Sequence, residues 1–339
     1  MSSEIFPLIK TGGLADVSGA LPTALQASGI DVKCLIPGYS TVLEKVENIT
    51  YLGTLEVFKN ISCDLLTGTV PNSKLEVIIV KHAGLYERDG GPYTHPQGHD
   101  WSDNPMRFGV LSKVASLLSI YQSFWDWVPD IVHCNDWQTG LAPYYMRQQG
   151  LTDAKSLLSI HNIAFQGNFE QHWVKSLELS PKDFQIDGFE FYQQVSFLKA
   201  GIFYADKLST VSPTYALEIQ TEAFGFGLQG LLQLRSSDIT GILNGIDTEE
   251  WNPEADPYLP FVYSEKKLSG KAKVKTALQQ QLHLTVQQDA PLLGVVSRLT
   301  HQKGLDILID SMPELIALGC QFAILGGGEK SFEAQFNAY

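Results

Sequence analysis

Lys155-Ser156-Leu157-Leu158-Ser159-Ile160, followed at once by His161-Asn162, decides the class of fold. A short apolar run that stops at two polar residues reads as a strand buried on both faces, with its carboxyl end at a functional edge. The same pattern recurs along the chain. Val32–Pro37, Leu75–Lys81, Asp130–Cys134, Lys207–Val211, Ile239–Leu243, Leu292–Ser297 and Gln321–Leu325 are further strand candidates. Several end where a polar residue begins, at Asn135-Asp136, Ser212 and Asn244.

Helical stretches alternate with these runs, which predicts an α/β protein built on parallel sheet. The predicted helices are Leu14–Ala27, Asn104–Tyr121, Tyr192–Ala205, Thr214–Gln220, Lys266–Leu282 and Leu305–Leu318. Ser212-Pro213 supplies an N-cap with proline at the first helical position. The chain has 339 residues, the length of two domains. The break is predicted near Thr240–Asp247, giving residues 1–240 and 241–339. No strand precedes the first glycine loop, and only two strands follow residue 288, so both ends read as unfinished and the second domain as incomplete.

Composition narrows the function. Hydrophobic residues make up 44% of the chain, enough for buried cores. Lys and Arg total 24 against 37 Asp and Glu, a net charge of -13. That balance argues against nucleic acid or an anionic membrane as partner. A phosphate group would have to be held by a few placed cations. Cys34, Cys63, Cys134 and Cys320 form no CxxC, and three lie in or beside apolar runs, as buried thiols in a reducing compartment would. The sequons at Asn48 and Asn60 read as accidental without a signal peptide, and no apolar run reaches the ~18 residues of a membrane span. The expectation is a soluble, cytoplasmic protein.

Five motifs carry chemistry. Lys10-Thr11-Gly12-Gly13-Leu14 opens a helix with two glycines, so backbone N–H groups and the helix end can face an anion, with Lys10 adding a full charge. It matches neither GxGxxG nor GxxxxGK[ST], and an ordinary glycine turn beside a surface lysine has the same composition. Arg298-Leu299-Thr300-His301-Gln302-Lys303-Gly304 places two cations five residues apart, where a strand ends and a helix begins. These suit a leaving diphosphate, or are two solvated cations. Gly326-Gly327-Gly328-Glu329 lets a ligand approach backbone closely, or makes a tight turn.

His133-Cys134-Asn135-Asp136-Trp137 and Ser159-Ile160-His161-Asn162 end strands. A carboxylate beside an aromatic ring suits a sugar, and His161 could orient a hydroxyl or be structural. Asn244-Gly245-Ile246-Asp247 reads as a turn. His82, His95, His99, Asp100 and Asp103 crowd one loop, but Gly90-Gly91-Pro92 and Pro96-Gln97-Gly98 forbid the helix on which His95 and His99 would share a face, so no metal is expected. No Gly-x-Ser-x-Gly elbow occurs.

Together these segments resemble the bacterial glycogen synthases and plant starch synthases, retaining glucosyltransferases that use ADP-glucose. The resemblance rests on Ser3-Glu4 to Pro7, Lys10 to Val17, Trp101 to Asn104 with Arg107-Phe108, His133 to Leu141, His161 to Gly167, Thr210 to Pro213, Gly241 to Asp247, Arg298 to Gly304 and Leu325 to Gly328, in the family's order. It implies a GT-B fold, two Rossmann-like domains facing across a cleft, and a hexosyltransferase of glycogen biosynthesis without metal or cofactor. Its partners would be ADP-glucose and an α-1,4-glucan.

By resemblance, Lys10 and the Gly12-Gly13 backbone would hold the donor's phosphates. Arg298 and Lys303 would neutralise the leaving diphosphate. His161 would contact the transferred glucose, Asp136 the acceptor-side hydroxyls and Asn244 the donor sugar. Gly327 and Gly328, in the Gly326–Gly328 loop, would receive phosphate or nucleoside. The family's first strand and its glutamate loop beyond the glycine triplet are both absent from these 339 residues. The corresponding expectation is a fragment with little activity alone. The alternatives are a related glycosyltransferase or phosphorylase, and a glucan- or nucleotide-binding remnant without turnover.

Overall fold

The computed structural model describes residues 1–339 and is α/β, with two compact units, Met1–Gly245 and Ile246–Tyr339. In the first unit, strands β1 (Lys33–Pro37), β2 (Glu47–Phe58), β3 (Ile61–Thr69) and β4 (Glu76–Lys81) form one sheet in the order β1-β4-β3-β2. β1 and β4 run parallel, whereas β2, β3 and β4 are an antiparallel meander. A second sheet contains β5 (Ile131–Asn135) and β6 (Lys155–Ile160). After a small antiparallel sheet of β7 (Asn168–Glu170), β8 (Glu190–Phe191) and β9 (Gln194–Ser196), it continues with β10 (Lys207–Thr210) and β11 (Ile239–Gly241). Its order is β11-β10-β6-β5, all parallel.

The long β2–β3 hairpin was not among the expected strands. Its register shifts break the strict alternation that marks a strand in sequence, and β2 starts with five exposed residues. The helix expected from Tyr192 begins instead at Phe197, because Gln194–Ser196 pairs as β9 with Asn168–Glu170. Ser196 Oγ then caps the helix by accepting from Lys199 N. Ser212 does the same for Pro213–Glu218, accepting from Tyr215 N.

The chain's first residues tie the two sheets together. Ser2 N–H donates to Leu35 O of β1 at 3.0 Å, and the Met1 ammonium donates to His133 O of β5 at 2.7 Å. Ser2, Ser3, Glu4 and Ile5 are all buried. One continuous core runs under both sheets, with the helix Asn104–Leu118 buried along most of its length.

The second unit carries β12 (Leu292–Val296) paired in parallel with β13 (Gln321–Leu325), and the helices Ser269–Gln281, Leu305–Ala317 and Lys330–Phe336. Its buried apolar core is Leu299, Leu305, Ile309 and Phe332. Val296 and Leu325, at the strands' carboxyl ends, are 80% and 70% exposed. No helix in the chain is long and apolar enough to cross a membrane.

Candidate functional site

The parallel register sets Asn135 of β5 opposite Ser159 of β6, so the residues that follow, Asp136 and His161, leave the sheet side by side. Asp136 turns sharply there. Its φ of 56° and ψ of -172° belong to a region that side chains rarely occupy, and such strain is held only where surroundings over-determine it. Asp136 Oδ1 accepts from His161 N at 2.7 Å and from Asn162 N at 3.3 Å. The carboxyl is buried, which raises its pKa from 3.8 to about 7 despite those two bonds. The negative charge of Glu4 adds to the rise.

His161 Nε2 lies 2.9 Å from Asn135 Oδ1, and Asn135 Nδ2 donates to Met1 O at 2.9 Å. The amide is thereby oriented with its oxygen toward the imidazole, so Nε2 carries the proton and Nδ1 is the acceptor nitrogen. Burial lowers the His161 pKa to about 4, leaving the ring neutral at neutral pH. His133, pointing into the sheet, bonds Ser159 Oγ at 2.6 Å, and its pKa falls to about 3, first through burial and then through the chain's amino terminus and His161.

Trp137 is half-buried. It packs against Phe108 at 5.0 Å, Phe169 at 5.7 Å and Phe197 at 6.3 Å, and a Cβ at Gly167 would collide with its ring. The aromatic that follows the carboxylate packs against the edge of the core and braces the strand end.

The glycine loop is filled by a carboxylate of its own. Glu4, 2% exposed, accepts from Thr11 N, from Gly12 N at 3.2 Å, from Thr11 Oγ1 at 2.5 Å and from the Tyr93 hydroxyl. Lys10 Nζ pairs with Asp16 at 2.7 Å, both about two-fifths exposed. The helix Gly13–Ala27 starts directly after the loop, with no side chain capping it. A Cβ at Gly12 or Gly13 would meet no atom within 4 Å, and neither has the positive φ that demands glycine. Packing does not account for these two glycines. Asn244 is exposed at the end of this unit.

In the second unit, Arg298 follows β12 and Lys303 lies in the 3₁₀ turn His301–Lys303; both are exposed. Gly304, at φ 67°, then opens the helix Leu305–Ala317. Leu299 N donates to Gly327 O and Glu329 N to Leu299 O, so the Gly326–Gly328 loop lies against the Arg298 turn. A Cβ at Gly326 would collide with Ser297 O, and one at Gly328 with Leu299 O. Close backbone packing thus explains those two. Gly327 is different, for a side chain there would meet only Glu333 Oε1 at 3.7 Å. Gly328 N already donates to that same oxygen at 3.0 Å.

The loop of histidines is a turn, not a helix, yet it stacks His95 on His99 at 4.7 Å with rings 8° apart. No group of three or more His, Cys, Asp or Glu side chains converges as a metal-ligand set. Sequence reasoning missed Glu4 and Asn135 as site residues. Glu4 acts on donors seven and eight residues ahead and on Tyr93, a grouping with no local signature. The position of Asn135 at a strand end, beside Asp136, was the available signal.

The family described as starch synthase catalytic domain matches residues 1–234. The glycogen synthase of Nitrosospira multiformis is 50% identical over 339 residues, covering 99% of this chain and 68% of that protein. The glycogen synthase of Paramagnetospirillum magneticum is 46% identical, covering 99% of this chain and 69% of its own length. The catalytic domain of starch synthase IV from Arabidopsis thaliana, solved with ADP and acarbose, superposes with a TM-score of 0.87 at 32% identity, covering 99% of this chain and 69% of that one.

Proposed function

The chain belongs to the glycogen and starch synthase family of hexosyltransferases, and from that premise we propose that it binds ADP-glucose and an α-1,4-glucan for transfer of glucose to the glucan's non-reducing end with retention. The observation that carries the donor side is the open space at Gly12, Gly13 and Gly327. Neither packing nor backbone strain requires glycine there, so the missing side chains serve a ligand that comes close to the backbone.

Lys10 and the Gly13 end of the helix hold the donor's phosphates, since Thr11 and Gly12 N–H groups are already taken by Glu4. Arg298 and Lys303 neutralise the diphosphate as the bond from glucose C1 to its oxygen breaks. The acceptor's 4-hydroxyl oxygen bonds to C1 on the same face, and its proton passes to the departing phosphate oxygen. Neutral His161 accepts a glucose hydroxyl on Nδ1. Asp136 has Oδ1 committed to the His161–Asn162 backbone, which leaves Oδ2 for acceptor hydroxyls. Asn244 approaches the donor sugar, and Gly327 and Gly328 the phosphate or nucleoside. In this reading residues 1–240 serve the acceptor and carry the Lys10 loop, and residues 241–339 serve the nucleotide.

Calorimetric titration of ADP-glucose and of maltoheptaose, separately, into the purified chain and into Lys10→Gln tests the assignment. The variant is expected to lose at least tenfold in ADP-glucose affinity and to bind maltoheptaose as before. Equal loss for both ligands would remove Lys10 from the donor site.

A further inference from the structure

A cavity of about 390 Å³ opens between the glycine loop, the segment after β1 and the segment after β4. Its volume falls in the range of small-molecule sites. Lys10, Lys45, Arg88 and Arg107 all line it, and no Asp or Glu does. That is a marked local reversal in a chain with 37 acidic residues against 24 Lys and Arg.

The four cations are not equally matched. Lys10 pairs with Asp16 and Arg88 with Asp103. Lys45 Nζ donates only to the carbonyls of Pro7 and Leu8, at 2.9 and 3.0 Å. Arg107, 1% exposed, donates to the carbonyls of Leu85 and Pro92 and to Asn104 Oδ1. Neutral acceptors take its Nε and Nη1 N–H groups but supply no counter-charge, and a desolvated charge without one is costly. Tyr39 also lines the cavity, its ring 5.7 Å from the Arg107 guanidinium, and its buried hydroxyl has no hydrogen-bond partner. Thr11, Ser40 and Thr41 add hydroxyls to the wall.

We propose that this cavity is a second ligand site, for a small sugar phosphate whose phosphate is held by Lys45 and Arg107 and whose hydroxyls meet Thr11, Ser40 and Thr41. A phosphate supplies the counter-charge that the wall lacks, and the hydroxyl-lined side suits a polyol. The proposal does not rest on the donor assignment, although Lys10 borders both places.

Glucose 6-phosphate and inorganic phosphate, each titrated calorimetrically into the chain with and without saturating ADP, test it. Glucose 6-phosphate is expected to bind at one site, to persist in the presence of ADP, and to weaken at least tenfold in Lys45→Gln while ADP affinity stays within twofold. Thr41→Val, which leaves every cation in place, is expected to weaken glucose 6-phosphate and leave inorganic phosphate unchanged. Absence of binding, full displacement by ADP, or an unaltered Lys45→Gln variant would overturn the site. Equal affinity for both probes, insensitive to Thr41→Val, would overturn the sugar-phosphate assignment.

Discussion

The two glycine loops use the same residue type on opposite foundations. Behind Lys10-Thr11-Gly12-Gly13 lies the continuous core of the first unit, and the loop's amides close on Glu4, a buried carboxylate with donors from Thr11, Gly12 and Tyr93. Behind Gly326-Gly327-Gly328 lies a core of Leu299, Leu305, Ile309 and Phe332, and half-buried Glu333 reaches the amide of Gly328. A loop's rigidity follows from how much buried structure it is fastened to, because local opening costs only the contacts it breaks. The first loop is therefore pre-shaped, and the second is expected to open at lower cost.

The largest expected effect concerns the strand ends of the first unit. The native pKa of Asp136, about 7, lies above its unfolded value of 3.8, so the folded state keeps a proton that the unfolded state releases. The stability tied to that proton is full below pH ~4 and is lost as pH rises through ~7. Asp136→Asn keeps an acceptor oxygen and removes the titration. The stability of the variant relative to the parent should rise by a few kcal/mol between pH 4 and pH 7, read from urea midpoints. A constant difference across that range would contradict the buried-acid description. His133 and His161 work in the opposite sense, losing stability as pH falls below ~6.5, and cancel in this comparison.

Next in size is the contrast between the two loop carboxylates. Glu4→Ala leaves two N–H groups, the Tyr93 hydroxyl and Thr11 Oγ1 without their acceptor, and should cost about 2–4 kcal/mol in urea unfolding. Glu333→Gln keeps an acceptor oxygen for the Gly328 amide and should change stability by less than about 0.5 kcal/mol. Equal losses would break the comparison drawn above.

Smaller still is a change confined to one ring. Asn135→Asp sets a negative charge beside His161 Nε2, which favours the imidazolium. The His161 pKa, about 4 in the parent, should move upward by NMR titration. The smallest effect is that of Gly327→Ala. Unfolding should be unaffected, while affinity for ADP falls a few fold, since the added methyl meets open space rather than the protein.

Much of the architecture was legible from residues alone. Lys155–Ile160 and Gln321–Leu325 are strands end to end as expected, because short stretches centred on Leu, Ile, Phe and Ala and bounded by polar or turn residues mark strands. Ser212-Pro213 starts a helix because its capping chemistry is local. The β2–β3 hairpin escaped, since its register shifts disturb the period that sequence shows. How much of Trp137 stays open was not legible either, because exposure is a property of the packed state, and here Phe108, Phe169 and Phe197 pack against a half-buried ring.

By itself the sequence determined the parallel α/β class, the position of polar residues at strand ends, the glycine loops and, through their joint order, the family. These follow from local propensity and periodicity, which act over a few neighbouring residues. Only the tertiary structure decided which groups are already committed. Glu4 satisfies amides that sequence reading left open for phosphate, Asn135 sets the tautomer of His161, and Arg107 is buried among neutral acceptors. Burial and hydrogen bonding between residues far apart in the chain arise only on folding, when desolvation makes each charge and each donor depend on partners that no local pattern specifies.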